Sequence, residues 1–130
     1  MSPVEITGLD HLVLTVASIE RTVAFYAGVL GLRAEPFGAD PVRWALHFGT
    51  QKFNLHEAGH EFEPRAASPT PGSVDVCLIT RTPLDEVVAA LAEHRVPIIE
   101  GPVTRTGAQG RIRSVYVRDP DANLVEIATY

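Results

Sequence analysis

Four side chains of the kinds that ligate metals or carry protons lie in strand-like segments of the sequence. They are His11, His56, Asp75 and Glu126. Imidazole nitrogens and carboxylate oxygens are ligands for divalent first-row metals, and both groups also serve as general acids and bases. Because such groups act only when the fold brings them together, the elements that carry them decide which chemistry is possible.

These elements follow one pattern twice along the chain. The β-branched stretch 9–16 predicts a strand, and apolar residues at helical spacing after Ser18 predict a helix that ends at Gly31. A second strand at 73–80 precedes a helix opened by Thr82 and Pro83. Shorter strands are predicted at 32–37, 42–49 and 52–57, and again at 97–100, 111–118 and 123–129. We therefore predict two β-α-β-β-β modules, at about 5–57 and 73–130, joined by a Pro- and Gly-rich linker at about 58–72.

Aligning the two modules places His11 on Asp75 and His56 on Glu126, if the second module has a longer inner loop at 104–110. Strand side chains alternate between faces, so these four residues and Asn54 would share one face of their strands. Their apolar neighbours would then pack under the helices. The alignment predicts one polar face per module.

Composition excludes several classes of protein. The chain has 130 residues, of which 45% are apolar and 21% charged, which is typical of one compact domain. A net charge of −5 has the wrong sign for binding a phosphate backbone, and no apolar run approaches the roughly 20 residues of a membrane span. With no basic flank at the amino terminus we expect a cytoplasmic protein, and we expect the lone Cys77 to be a buried apolar side chain.

The chain resembles the vicinal oxygen chelate superfamily. The resemblance is carried by the paired modules, the histidine in the first strand, Ser114-Val115-Tyr116, and the run from Arg118 to Glu126, and it covers nearly the whole chain. It is closest to the small glyoxalase domain-containing proteins, on the segments 53–57, 61–64, 71–73, 100–102 and 105–108. The resemblance implies an α+β fold whose cupped, partly open mixed sheet carries helices on its outer face, a divalent metal on the concave face, and pairing into a homodimer.

Within this resemblance, His11, His56 and Glu126 match the two-histidine, one-carboxylate set that holds Ni, Zn, Co, Mn or Fe and leaves positions open for substrate. Asp75 lies where glyoxalases and extradiol dioxygenases commonly have a histidine. Three roles are open to it: a fourth ligand, a group that orients His11 or a metal-bound water, or a general base. His56 lies where glyoxalase I has a glutamate, so the ligand set is a variant.

The resemblance also predicts a substrate cavity. Its predicted lining residues are Trp44, Leu46, Asn54, Arg105, Ser114 and Tyr116. We expect Trp44 to lie opposite Ser114 and Leu46 opposite Tyr116, whereas His47, out of phase with both, would lie off the cup. Arg105, in a glycine-containing loop, could bring a cation to an anionic substrate, and Tyr116 would either donate to a substrate oxygen or only pack its ring.

The predicted function is that of a divalent-metal-dependent enzyme of the glyoxalase type. Glu126, Asp75 and Tyr116 would be its catalytic residues, acting on a small organic substrate by metal-assisted proton transfer. One alternative is an Fe(II) extradiol-type dioxygenase. Another is a non-catalytic protein that sequesters an antibiotic, against which the complete ligand trio argues.

Overall fold

The computed structural model describes residues 2–130, and their elements follow the predicted order. Module one contains β1 (His11–Val16), α1 (Ile19–Gly28), β2 (Arg33–Phe37), β3 (Arg43–Phe48) and β4 (Gln51–Glu57). Module two contains β5 (Asp75–Ile79), α2 (Leu84–Glu93), β6 (Glu100–Gly107), β7 (Gly110–Arg118) and β8 (Leu124–Thr129).

Each module folds into its own four-stranded sheet, with strand orders β1-β4-β3-β2 and β5-β8-β7-β6. The first and last strands of a module pair in parallel, while the other neighbours pair antiparallel. The predicted α+β fold of mixed sheets is confirmed, with its strands divided between two four-stranded sheets, and β1 and β5 lie at sheet edges.

Each sheet packs one face against its helix. In module one, Leu14 and Leu55 from the sheet are buried with Tyr26 of α1, and in module two Val125 is buried with Leu91 of α2. The side-chain oxygen of Ser18 accepts the Arg21 backbone N–H at 3.2 Å and caps α1 as predicted. At α2 the cap is Pro83, without a side-chain hydrogen bond, so the prediction of Thr82 as the cap is wrong.

The turn between β7 and β8 joins the two modules. The Asp119 carboxylate accepts the backbone N–H groups of Asp121 and Asn123 at 2.9 and 3.0 Å, and the Asn123 side-chain amide at 2.8 Å. Asp121 in turn accepts the Ala17 backbone N–H of module one at 3.1 Å. Asp119, Asp121 and Asn123 therefore have structural roles, because their hydrogen bonds satisfy backbone N–H groups of the turn and of module one.

No helix within residues 2–130 is both long and apolar enough to cross a bilayer.

Candidate functional site

Most of the predicted site residues lie on the sheet faces opposite the helices, which we call the cup faces. In β1 and β4 of module one, the cup face carries His11, Val13, Thr15, Lys52, Asn54 and His56, since paired residues of neighbouring strands point the same way. In β5, β7 and β8 of module two it carries Asp75, Cys77, Ile79, Leu124, Glu126, Ser114 and Tyr116. The predicted alternation of faces holds for these strands.

Trp44 and Leu46 lie on the helix side, so the prediction that they line the cup is wrong. Trp44 pairs with Leu55 and Leu46 with Phe53, whereas His47, which was expected off the cup, pairs with Lys52 on the cup face. The reason is the length of the hairpin turn: the pair Phe48–Gln51 closes module one's hairpin, but residues 119–123 separate the last pair in module two. This odd difference in length moves β3 to the opposite face from β7.

The pairing registers of β1 with β4 and of β5 with β8 show that His56 is not the structural equivalent of Glu126. His11 pairs with Lys52, and Asp75 pairs with Leu124. With His11 superimposed on Asp75, the position matching Glu126 is therefore Asn54, and the alignment of His56 with Glu126 is wrong by two residues. Asn54 is 6% exposed, and its buried side-chain oxygen has no hydrogen-bond partner among the described residues.

His56 is engaged by an arginine. The Arg43 guanidinium, which can only donate, places Nη2 3.1 Å from Nε2 of His56, so this nitrogen is an unprotonated acceptor. His56 is 3% exposed and packs edge-on against Phe62, with ring centroids 5.4 Å apart. Burial, and secondarily the Arg43 charge, hold the pKa of His56 below its usual value, against a smaller opposing effect of Glu61. His56 is therefore neutral, and its Nε2 already accepts a hydrogen bond from Arg43.

The cluster of Arg43, His56 and Phe62 was not predicted from the sequence. Phe62 belongs to the linker between the modules, so no local pattern connects it with β3 or β4. One signal was present in the sequence. Arg43 and His47 are four residues apart in a predicted strand, so they lie on one face, and Trp44 lies on the other. Counting β3 outward from its own two-residue turn would have placed Arg43 beside His56.

Glu126 is held in a polar cluster on module two's cup face. The buried Ser114 hydroxyl donates to one carboxylate oxygen at 2.5 Å, and Cys77 is the residue paired with Glu126 in β5. Partial burial, the Glu126 carboxylate and Asp75 raise the pKa of the Cys77 thiol to about 11. Cys77 is nevertheless exposed on the cup face, so the prediction that it is buried is wrong.

Tyr116 and Arg105 form the rim of this cluster. Arg105 donates from Nε to the Tyr116 hydroxyl at 3.1 Å and from Nη2 to Glu100 at 3.0 Å. The Tyr116 hydroxyl thus accepts from Arg105 and keeps its own proton for another acceptor. Partial burial is the main cause of the raised pKa of Tyr116.

A divalent metal fits some of the predicted ligands and not others. His56 does not fit, because its Nε2 accepts from a cationic guanidinium. His11 pairs through Nδ1 with Asp10 at 2.8 Å, which leaves Nε2 for a ligand, and Glu126 has one oxygen not bonded to Ser114. Among residues 2–130, no three His, Cys, Asp or Glu side chains converge closely enough to hold a metal ion.

Comparison with known proteins shows which family this architecture represents. Residues 8–127 match the sequence model of the Glyoxalase/Bleomycin resistance protein/Dioxygenase superfamily. The chain belongs to this superfamily. It is similar to the virulence protein STM3117 of Salmonella typhimurium, with 54% identity over 94% of this chain and 83% of the relative. It is also similar to the glyoxalase domain-containing protein RDO1 of Mycosarcoma maydis, with 47% identity over 96% of this chain and 69% of that protein.

Solved structures of the superfamily share the fold. The crystal structure of STM3117 matches with a TM-score of 0.94 and 53% identity, covering 98% of this chain and 99% of that one. A lactoylglutathione lyase from Agrobacterium tumefaciens matches with a TM-score of 0.71 and 21% identity, covering 98% and 96% of the two chains. At that identity the likeness shows the fold alone.

Proposed function

We propose that this protein is a divalent-metal-dependent enzyme of the glyoxalase type, in which Glu126 moves a proton on a small organic substrate bound in the cup. The observation that carries the proposal is the setting of Glu126. Ser114, itself buried, fixes one carboxylate oxygen, and the carboxylate lies on the cup face beside Cys77 and Tyr116. A carboxylate oriented in this way is suited to general base catalysis.

The neighbours of Glu126 support this role. Tyr116 pairs with Glu126 across β7 and β8, and its hydroxyl, which accepts from Arg105, can donate to a substrate oxygen. Arg105 is paired with Glu100, so it acts here by positioning Tyr116. Tyr116 would therefore orient the substrate while Glu126 takes and returns the proton.

The proposed metal ligands are His11, Glu126 and Asp75. Their nitrogen and carboxylate oxygens suit a first-row divalent ion, which when bound would polarise a substrate carbonyl. His11 belongs to module one and the two carboxylates to module two, so the ligand set is divided between the modules.

A homodimer would bring the two parts of the ligand set together. β1 and β5 are edge strands, and the cup-face residues Val13 and Ile79 on them are 38% and 54% exposed. Apolar side chains before β1 are exposed as well, among them Ile6 and Leu9, at 82% and 73%. Free strand edges with exposed apolar side chains favour pairing with another chain.

Elemental analysis tests the metal assignment. Protein purified without chelator is expected to contain near-stoichiometric Ni, Zn, Co, Mn or Fe, and His11→Ala and Glu126→Gln are expected to lose it. His56→Ala is the matched control, because a histidine occupied by Arg43 should not be a ligand and its loss should leave the metal bound. A native protein that takes up none of these ions would overturn the assignment, as would metal loss in His56→Ala alone.

Activity is tested separately on hemithioacetals and epimerisable thioesters. Assayed in excess added metal, so that weakened binding of the ion is compensated, Glu126→Gln is expected to lower turnover by about 100-fold or more, the usual contribution of a general base. Bound iron with oxygen consumption on a catechol would indicate the dioxygenase instead. Binding without turnover on any of these substrates would indicate a sequestering protein.

A further inference from the structure

Two cations on module one's cup face, Arg43 and Lys52, support a further inference because neither contacts a carboxylate within residues 2–130. The Arg43 guanidinium carbon lies 4.5 Å from the Phe62 ring centroid and 5.2 Å from that of Phe37, while Nζ of Lys52 lies 4.2 Å from the same Phe37 ring. Neither cation is part of an ion pair with any residue from 2 to 130. Two like charges therefore share one aromatic ring without an anion between them.

Burial sets Arg43 apart, because every other arginine within residues 2–130 is exposed, and some of those are paired with carboxylates. Arg33, on the neighbouring strand β2, binds Glu35 at 3.1 Å, and Arg65 binds Glu63 at 2.9 Å. The chain carries a net charge of −5, so carboxylates are plentiful. A cation that is partly buried without a counter-ion costs free energy, which an arriving anion would recover.

The packing around Arg43 leaves its donors available. Rings of Phe37 and Phe62 lie against the guanidinium, an arrangement that holds the group while its N–H donors remain in the guanidinium plane. His56, uncharged, accepts from one nitrogen only, and Nε is buried with no partner among the described residues. Buried donors without partners are uncommon, so this one favours a polar atom from outside the chain, such as a ligand oxygen or a water.

We propose that Arg43 and Lys52 form a binding site for the oxyanion of a small organic molecule, with His56 and the two phenylalanines as positioning residues. The planar fork of an arginine matches the two oxygens of a carboxylate, and a phosphoryl group offers the same geometry. If the proposed reaction holds, the site also defines the substrate class: a molecule whose charged end binds module one's cup face.

The test is isothermal titration of the protein, as purified, with succinate, its uncharged analogue succinamide, and inorganic phosphate. Succinate is expected to bind and succinamide not to bind. Arg43→Gln should weaken binding at least tenfold and Lys52→Gln severalfold, while Arg43→Lys retains part of the affinity. Arg33→Gln is the matched control, since this arginine lies on the same sheet but is already paired with Glu35, and binding should be unchanged.

Several results would overturn the proposal. These are no binding of either anion, equal binding of succinamide, or unchanged affinity in both Arg43→Gln and Lys52→Gln. Lys52→Gln replaces a side chain at the edge of the cluster, so it decides the question even where Arg43→Gln does not fold. Tighter binding of phosphate than of succinate would support the site and assign it to phosphoryl groups. Because binding is measured without turnover, its failure leaves the proposed reaction standing, and absent turnover leaves the anion site standing.

Discussion

The Tyr26 hydroxyl donates a 2.7 Å hydrogen bond to the Asp119 carboxylate, and both residues are buried. Tyr26 belongs to α1 of module one, whereas Asp119 begins the turn between β7 and β8 of module two. Burial, and then the Asp119 charge, raise the pKa of Tyr26, so the hydroxyl stays protonated and donates across the junction. This bond and the one from Ala17 to Asp121 hold the two cup faces in their relative positions.

Tyr26→Phe should therefore destabilise the protein more than the loss of an exposed hydroxyl. It leaves a buried carboxylate short of one donor, which typically costs about 1–3 kcal/mol of unfolding free energy. Urea denaturation measures the change. Tyr130→Phe is the control, because Tyr130 is 55% exposed and its oxygen accepts only the Gln109 backbone N–H at 2.9 Å. Equal losses in the two variants would contradict a structural role for the junction bond.

The pH dependence of stability should report the environment of His56. Its folded-state pKa lies below the usual 6.5, so the native state binds a proton less readily than the unfolded chain. The stability is then complete above the unfolded pKa and falls as the pH drops from there towards the folded pKa. The loss is about 1.4 kcal/mol for each pH unit that separates the two values.

Urea denaturation at pH 8 and pH 5.5 measures this effect in the wild type and in His56→Gln, which cannot titrate. The wild type should lose more stability between these two values than the variant does. Parallel losses would show that His56 has an ordinary pKa in the folded protein. His60→Gln, at an exposed position of the linker, serves as the matched histidine control.

Cys77 should react slowly with alkylating reagents although it is exposed. With a pKa of about 11, little thiolate is present at pH 8, and the thiolate is the reactive form. Glu126→Gln removes the carboxylate charge of the residue paired with Cys77 and should speed alkylation by iodoacetamide severalfold. Glu35→Gln, on the other module, should leave the rate unchanged. A rate that is insensitive to Glu126→Gln would contradict the contact between these two side chains.

The element order could be predicted from the sequence because its signals are local. Apolar spacing and the Ser18 cap define α1, and the alternating residues of β5 and β8 assign Asp75 and Glu126 to one face. Each of these features depends on residues that are neighbours in the chain, so a pattern of a few positions is enough.

What depends on register could not be predicted in the same way. The face on which Trp44 lies is set by the length of the turn at 49–50, and the two modules differ there. Asn54, rather than His56, is the module-one equivalent of Glu126. This follows from the register between β1 and β4, two strands that are separated in the chain by the helix and two other strands. Phe62 reaches Arg43 only through the path of the linker, which no periodicity encodes.

Gly72 tests whether the end of the linker is fixed against the turn of module two. It has φ +83°, and a Cβ added there would lie 2.6 Å from the Asp121 carbonyl oxygen. Gly59, at the other end of the linker, has φ +86° but open space around its Cβ position. Gly59→Ala should therefore cost only the backbone penalty of about 1–2 kcal/mol for a positive φ. Gly72→Ala adds a clash with backbone, so its loss of unfolding free energy in urea should clearly exceed that of Gly59→Ala. Similar losses would mean that the turn yields to the added methyl group and that the linker is not held there.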